Sequence, residues 1–134
     1  MNVVYLSNQL TRDNDATDEA ILRLLSSRGN YTLAYIPSQA DHSRKYYIQA
    51  KSYYERMGIK VADYFDLVDE YHVDWTDDLM QTGAIHLSGG STYHFLQNLL
   101  HRRFSIFLCN FLCCTGARDL RLWWTNNRHL HPIC

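Results

Sequence analysis

The 134-residue chain has no apolar run close to the ~20 residues needed to cross a bilayer; the longest, Phe104 to Cys114, is interrupted by Ser105 and Asn110. No membrane span is expected. Nor does a charged stretch followed by an apolar one open the sequence, so nothing points to export. No cysteine precedes Cys109, and the expected compartment is the cytoplasm, with thiols reduced. Acid is missing from one end only. Of the 14 Asp and Glu residues, Asp119 alone lies beyond Asp78. Residues 1–100 carry 8 Lys+Arg against 13 Asp+Glu, a formal −5, while residues 101–134 carry 5 Arg against that single Asp119, a formal +4. The net charge of −1 therefore averages two unlike pieces. The length suits one small domain. Residues 1–100 are expected to belong to it, and 101–134 form an anomalous basic tail with all 4 cysteines and 2 of the 3 tryptophans.

The first hundred residues alternate strand and helix signals. Val3-Val4-Tyr5-Leu6 is a short apolar run ending in Ser7-Asn8, and the helix after it places Ile21, Leu24, Leu25 and Arg28 on one side before Gly29. Thr32 to Ile36 forms a second strand, stopped by Pro37. From about Asp41 to Met57, Tyr47, Ala50, Tyr54 and Met57 recur at helical spacing, and Gly58 ends the segment. Strands follow at Ile59 to Phe65 and Ala84 to Leu87. Short apolar strands joined by helical or loop connections imply βαβ crossovers: an α/β fold, a parallel sheet with helices on both faces, flavodoxin-like. In such sheets ligands bind beyond the carboxyl ends of the strands. Ser7-Asn8, Pro37-Ser38-Gln39, Asp66 to Asp78 and Ser88-Gly89-Gly90-Ser91 should thus share one rim. The acidic stretch from Asp66 to Asp78 is expected to be a solvated connection.

The glycine pair carries the most chemistry. Ala84-Ile85-His86-Leu87-Ser88-Gly89-Gly90-Ser91-Thr92 runs from an apolar strand through a tight turn into a helical segment. Adjacent glycines let the backbone turn sharply and present N–H groups at a helix N-terminus, where negative charge is stabilised. Such a turn holds a phosphate, a carboxylate or an oxyanion. The plainer alternative is a tight turn with Ser91 as helix N-cap.

The order strand, helix, Ile36-Pro37-Ser38, helix ending Met57-Gly58, strand, then Ile85 to Leu96 resembles the peptidase E and cyanophycinase family of serine peptidases, with the class I glutamine amidotransferase-like fold. The resemblance covers roughly residues 1–100. It implies an I-P-[ST] element after the second strand and a G-G-N-T-[FY] turn that contributes to the substrate and oxyanion site. Gly89, Gly90, Thr92 and Tyr93 match that turn, with Ser91 in the asparagine position. The resemblance thus assigns Gly89, Gly90 and Ser91 to substrate and oxyanion binding, with a short peptide as substrate and no cofactor. It also implies a nucleophile in a later G-x-S-A-G elbow, served by a histidine base and an acidic partner. No G-x-S-x-G occurs in these residues. Ser88 and Ser91 belong to the wrong motif, His86 is most simply a packed core residue, and His94 lies on the helix after the turn. No catalytic residue is assigned, and His129 and His131 are not carried over from the family.

The tail admits three readings. Cys109, Cys113, Cys114, His129, His131 and Cys134 do not reproduce the spacings of zinc sites, and arginines beside Trp123-Trp124 suggest a nucleic-acid surface only weakly. The third reading is translation out of frame. Trp123-Trp124 is necessarily TGG-TGG and Thr125 begins with A, so a one-base advance gives GGT-GGA, or Gly-Gly. With a CGN codon at Arg128, the advanced frame then admits a short Ile/Thr run followed by Gly-x-Ser, although Ile or Thr falls where alanine belongs. The expectation is a peptidase E-like domain whose elbow is missing and which is inactive. No metal, nucleic acid or membrane is expected, while self-association is. The alternatives are a non-catalytic module binding a phosphate or carboxylate at Gly89-Gly90, and an interaction protein working through the tail.

Overall fold

The computed structural model of the chain describes Val4 and residues 14–110, except 73, 105 and 109. The strand expected from Val3 to Leu6, apart from Val4, the Ser7-Asn8 turn and everything from residue 111 onward lie outside the described residues. The element order is α1 (Asp15–Arg28), β1 (Thr32–Ile36), α2 (Lys45–Arg56), β2 (Lys60–Tyr64), α3 (Trp75–Met80), β3 (Ala84–Leu87) and α4 (Thr92–His101). All three strands are parallel, in the order β2-β1-β3. The α/β architecture expected from the alternating signals is the one observed.

β1 is buried because it is central. Its alternation sends Leu33 and Tyr35 to one face of the sheet and Ala34 and Ile36 to the other, and each face has its own core. On the first, Ile21 and Leu25 of α1 and Ala50, Tyr53 and Tyr54 of α2 pack with Leu33, Tyr35, Ile59 and Val61, and Val4 lies against them. On the second, Leu79 of α3 and Phe95 and Leu99 of α4 pack with Ala34, Ile36, Phe65 and Leu67. Residues beyond position 100 contribute here too. Phe104 and Leu108, 2% and 6% exposed, belong to the second core.

Local chemistry sets the helix ends. Gly29 adopts φ +62° and closes α1, with its N–H on the Ser26 carbonyl (3.0 Å) while Asn30 N–H reaches Leu25 (3.4 Å). Asp15 and Asp18 sit in the first turn of α1 and Arg28 in its last, complementing the helix dipole. The Arg28 guanidinium also donates to the Gly83 carbonyl at the foot of β3, which explains why this charged residue lies on the apolar side of the helix.

The acidic segment is solvated at Asp69, Glu70, Asp74, Asp77 and Asp78, as expected, and departs from that expectation at Asp66. Asp66 is 3% exposed, and its carboxylate accepts from the N–H groups of Val68 (2.7 Å) and Asp69 (3.3 Å), while Leu67 is in the core. The N–H groups of its own turn take the place of water around the Asp66 carboxylate, so its charge does not require exposure. Further along, Trp75 and Leu79 anchor α3 to the second face. Six residues are too short to show a helical period in sequence. Arg102 ties the segment down, donating to the carbonyls of Leu67 and Val68 (3.1 Å each) and lying over the Tyr71 ring at 4.9 Å.

Candidate functional site

The connections leaving β1 and β3 diverge. The chain after β1 enters α2 on the first face, and the chain after β3 enters α4 on the opposite face. Adjacent parallel strands whose connections part in this way open a crevice at their carboxyl ends. Ser38, two residues past β1, and Ser88 to Ser91, directly past β3, stand at that crevice.

Ser38 has all of its polar groups engaged across it. The Ser38 N–H donates to Ser88 Oγ (2.8 Å), Ser38 Oγ donates to the Gly89 carbonyl (3.0 Å), and the Ser38 carbonyl accepts from Asn98 Nδ2 of α4 (3.3 Å). Ser88 Oγ in turn lies 3.3 Å from the Gly89 carbonyl. Both serines are buried, at 4% and 7% exposure, whereas Gly89 and Gly90 are exposed. Gly90 has φ +147°, and a Cβ added there would lie 2.1 Å from Ser38 Oγ. Only glycine fits on both counts. At Gly89 an added Cβ would meet nothing within 4 Å.

α4 begins immediately after this turn. Ser91 is its N-cap, in extended conformation, and its side chain accepts from the His94 N–H (3.4 Å). The exposed glycine pair therefore sits at the positive end of a ten-residue helix whose Phe95 and Leu99 fix it to the second core. Tyr93 and His94 are exposed on its first turn, with Gln97 Nε2 donating to the Tyr93 hydroxyl (3.0 Å).

His86 is turned away from the turn and into the first face. Its ring stacks on Tyr35 at 4.9 Å, meets Tyr54 edge-on at 5.6 Å, and shares a hydrogen bond between Nδ1 and the Tyr54 hydroxyl (2.9 Å). Burial pushes its pKa down from 6.5 to about 4, so the ring is neutral near pH 7. Tyr47 and Tyr64 extend the same aromatic cluster, and burial raises the Tyr64 hydroxyl to about 12. Arg44 stands over the Tyr64 ring at 4.7 Å and pairs with both Glu70 oxygens (2.8 and 3.0 Å), joining the loops that follow β1 and β2.

The structure therefore brings Gly89, Gly90 and Ser91 to one place, as their spacing in sequence requires, and adds Ser38 and Asn98. Ser38 was expected on this rim but without a role, and Asn98 was not expected there. The Ile36-Pro37-Ser38 element was the available signal for Ser38; for Asn98, 60 residues further along, no local pattern announces the bond. Among the described residues no group of three or more His, Cys, Asp or Glu side chains could hold a metal ion, and no helix is long and apolar enough to cross a membrane.

A three-stranded parallel sheet in the order β2-β1-β3, with helices on both faces, defines an α/β class of domain. The chain belongs to one particular group within it: the model of Peptidase family S51 matches residues 3–109, which places the chain among the relatives of peptidase E and gives it a serine-type peptidase-like relationship. The match continues nine residues past Leu100, over the stretch that supplies Phe104 and Leu108 to the core. No curated protein and no solved structure matches the chain.

Proposed function

We propose that these 134 residues form a catalytically incomplete serine-peptidase domain, one that keeps the substrate-side turn of its family and does not hydrolyse peptides. The observation that carries this reading is the commitment of the serine hydroxyls beside the turn, Ser38 Oγ among them through its bond to the Gly89 carbonyl. Ser88 Oγ accepts from the Ser38 N–H and faces the Gly89 carbonyl, and Ser91 Oγ caps α4. A nucleophile needs a free hydroxyl presented to a base, and His86, the histidine nearest in sequence to Ser88, is paired with Tyr54 on the other side of the strand. The glycine turn, by contrast, is exposed, and at Gly90 it admits no side chain. Such a site retains recognition of a peptide carboxylate or carbonyl while lacking the covalent step.

Purified protein should show no peptidase turnover and no labelling by serine-directed phosphonates. Stoichiometric phosphonate labelling at Ser88 or Ser91 would sink the reading. A second reading, a non-catalytic module for a phosphate or carboxylate ligand, draws on the exposed Gly89-Gly90 pair at the N-terminus of α4. A phosphate-bearing compound that protects the Gly89 and Gly90 amides from exchange, when short peptides do not, would favour it.

The missing elbow has a source in the reading frame. A frame error between Leu100 and Trp123 would account for it, since the advanced frame restores Gly-Gly at Trp123-Trp124.

A further inference from the structure

We propose that Ser38 is a positioning residue: it holds the Gly89–Gly90 peptide in a single orientation, carbonyl inward and N–H outward toward the crevice. The inference rests on the reading that this turn receives an anion, and it says which side chain makes the turn fit to do so.

Two hydroxyls converge on the Gly89 carbonyl, Ser38 Oγ at 3.0 Å and Ser88 Oγ at 3.3 Å. The described peptides are all trans, and in a trans peptide the C=O and the following N–H point in opposite directions. Holding the Gly89 oxygen against the buried serines therefore directs the Gly90 N–H away from them. A Gly-Gly peptide has little steric resistance of its own to flipping, so an external constraint has to select one state. Ser38 supplies that constraint in two ways. It donates to the carbonyl, and its Oγ fills the space beside Gly90 where a Cβ would lie at 2.1 Å. Ser38 is itself immobilised, since its N–H is held by Ser88 and its carbonyl by Asn98 of α4. The clamp thus links the end of β1, the end of β3 and the helix whose N-terminus faces the ligand.

The chain has six glycines and only one Gly-Gly pair. Protein labelled with 13C-carbonyl, 15N-glycine therefore contains one peptide that carries both labels across its C–N bond, the Gly89–Gly90 peptide, and a carbonyl-filtered amide spectrum should show a single cross peak. In Ser38→Ala that peak is expected to split or broaden while the other glycine amides keep their positions, and Ser38→Thr, which keeps the hydroxyl, should restore one sharp peak. If Ser38→Ala does not fold, Asn98→Ala loosens the same clamp from the carbonyl side and should broaden the peak. A single unshifted peak in folded Ser38→Ala, or in Asn98→Ala where only that variant folds, overturns the proposal.

Titration with inorganic phosphate separates this outcome from the underlying reading. A shift of the wild-type Gly90 amide supports anion reception, and the affinity should then weaken at least about twofold in the alanine variant, the factor for a donor aimed correctly half of the time. Equal affinity in the two proteins counts against the clamp. No shift in the wild type, together with a split peak in the variant, removes the anion reading and leaves the clamp standing.

Discussion

Single residues at the turn differ sharply in what they tolerate. Gly90 combines φ +147° with a neighbour 2.1 Å from any added Cβ, so Gly90→Ala carries both backbone strain and a clash with a buried hydroxyl. A cost of about 2–4 kcal/mol is expected. Gly89→Ala meets nothing and should stay within about 0.5–1 kcal/mol. Urea midpoints of the two variants, measured side by side, check the contrast; equal losses would mean that the turn is not built on Ser38. His86 gives a pH signature. Its folded pKa, about 4, lies below its ordinary 6.5, so on acidification the unfolded chain takes up the proton first. The contribution of His86 to stability is complete above about pH 6.5, declines between 6.5 and 4, and is absent below that. The loss reaches up to about 3 kcal/mol. His86→Gln should flatten this part of the stability profile, and an identical decline in wild type and variant would remove the assignment.

At the level of elements, the two cores explain why the turn is held. α4 begins directly after the glycine turn, and its position comes from Phe95 and Leu99 and from the chain that follows. Phe104 lies in the same core, whereas Ile106 two residues on is 61% exposed. Phe104→Ala is expected to cost about 3 kcal/mol, in the range for emptying a buried aromatic site. Ile106→Ala should change stability by less than about 0.5 kcal/mol. Chemical denaturation measures both. A Phe104→Ala variant as stable as wild type would show that the domain draws nothing from the stretch beyond Leu100. Arg102 counts as part of the basic tail by composition, but its bonds to the Leu67 and Val68 carbonyls make it a brace between α4 and the loop after β2.

For the whole molecule, the described sheet has three strands, and β3 pairs with β1 on one side. The other side of β3 is where a strand leading to a nucleophile elbow would add. Among the described residues no strand pairs with that side of β3, and an edge left open in this way recruits other chains unless the tail packs there. Concentration-dependent self-association is expected by light scattering, and a monodisperse monomer with a sharp cooperative melt would contradict it. Repair is the stronger test. One base deleted or inserted between the codons for Leu100 and Trp123, with the frame extended downstream, should yield Gly-Gly, a short apolar strand and Gly-x-Ser. The new strand would lie beside β3 and bring its serine to the rim that Gly89 and Gly90 occupy, where nucleophile and oxyanion donors converge within ~3 Å of a reacting carbonyl. Solubility and hydrolysis should return together. A stop codon met at once in the shifted frame, or activity that survives mutation of the restored serine to alanine, would overturn the account.

The amino-acid order alone determined the parts of this protein that rest on local pattern. Short apolar runs ending at Pro37 and Ser88 mark strands buried on both faces, the recurrence of Ala50 and Tyr54 at helical spacing marks α2, and two glycines between a strand and a helix mark the turn. The family resemblance was legible for the same reason, its motifs being short and contiguous. The tertiary structure decided what depends on separation along the chain. The clamp joins Ser38 to Ser88, Gly89 and Asn98 across 50 to 60 positions. The burial of Asp66 depends on the core around Leu67, and α3 exists because Trp75 and Leu79 find the second face of the sheet. No local period encodes contacts of that kind, since their free energy appears only when the distant partner is in place.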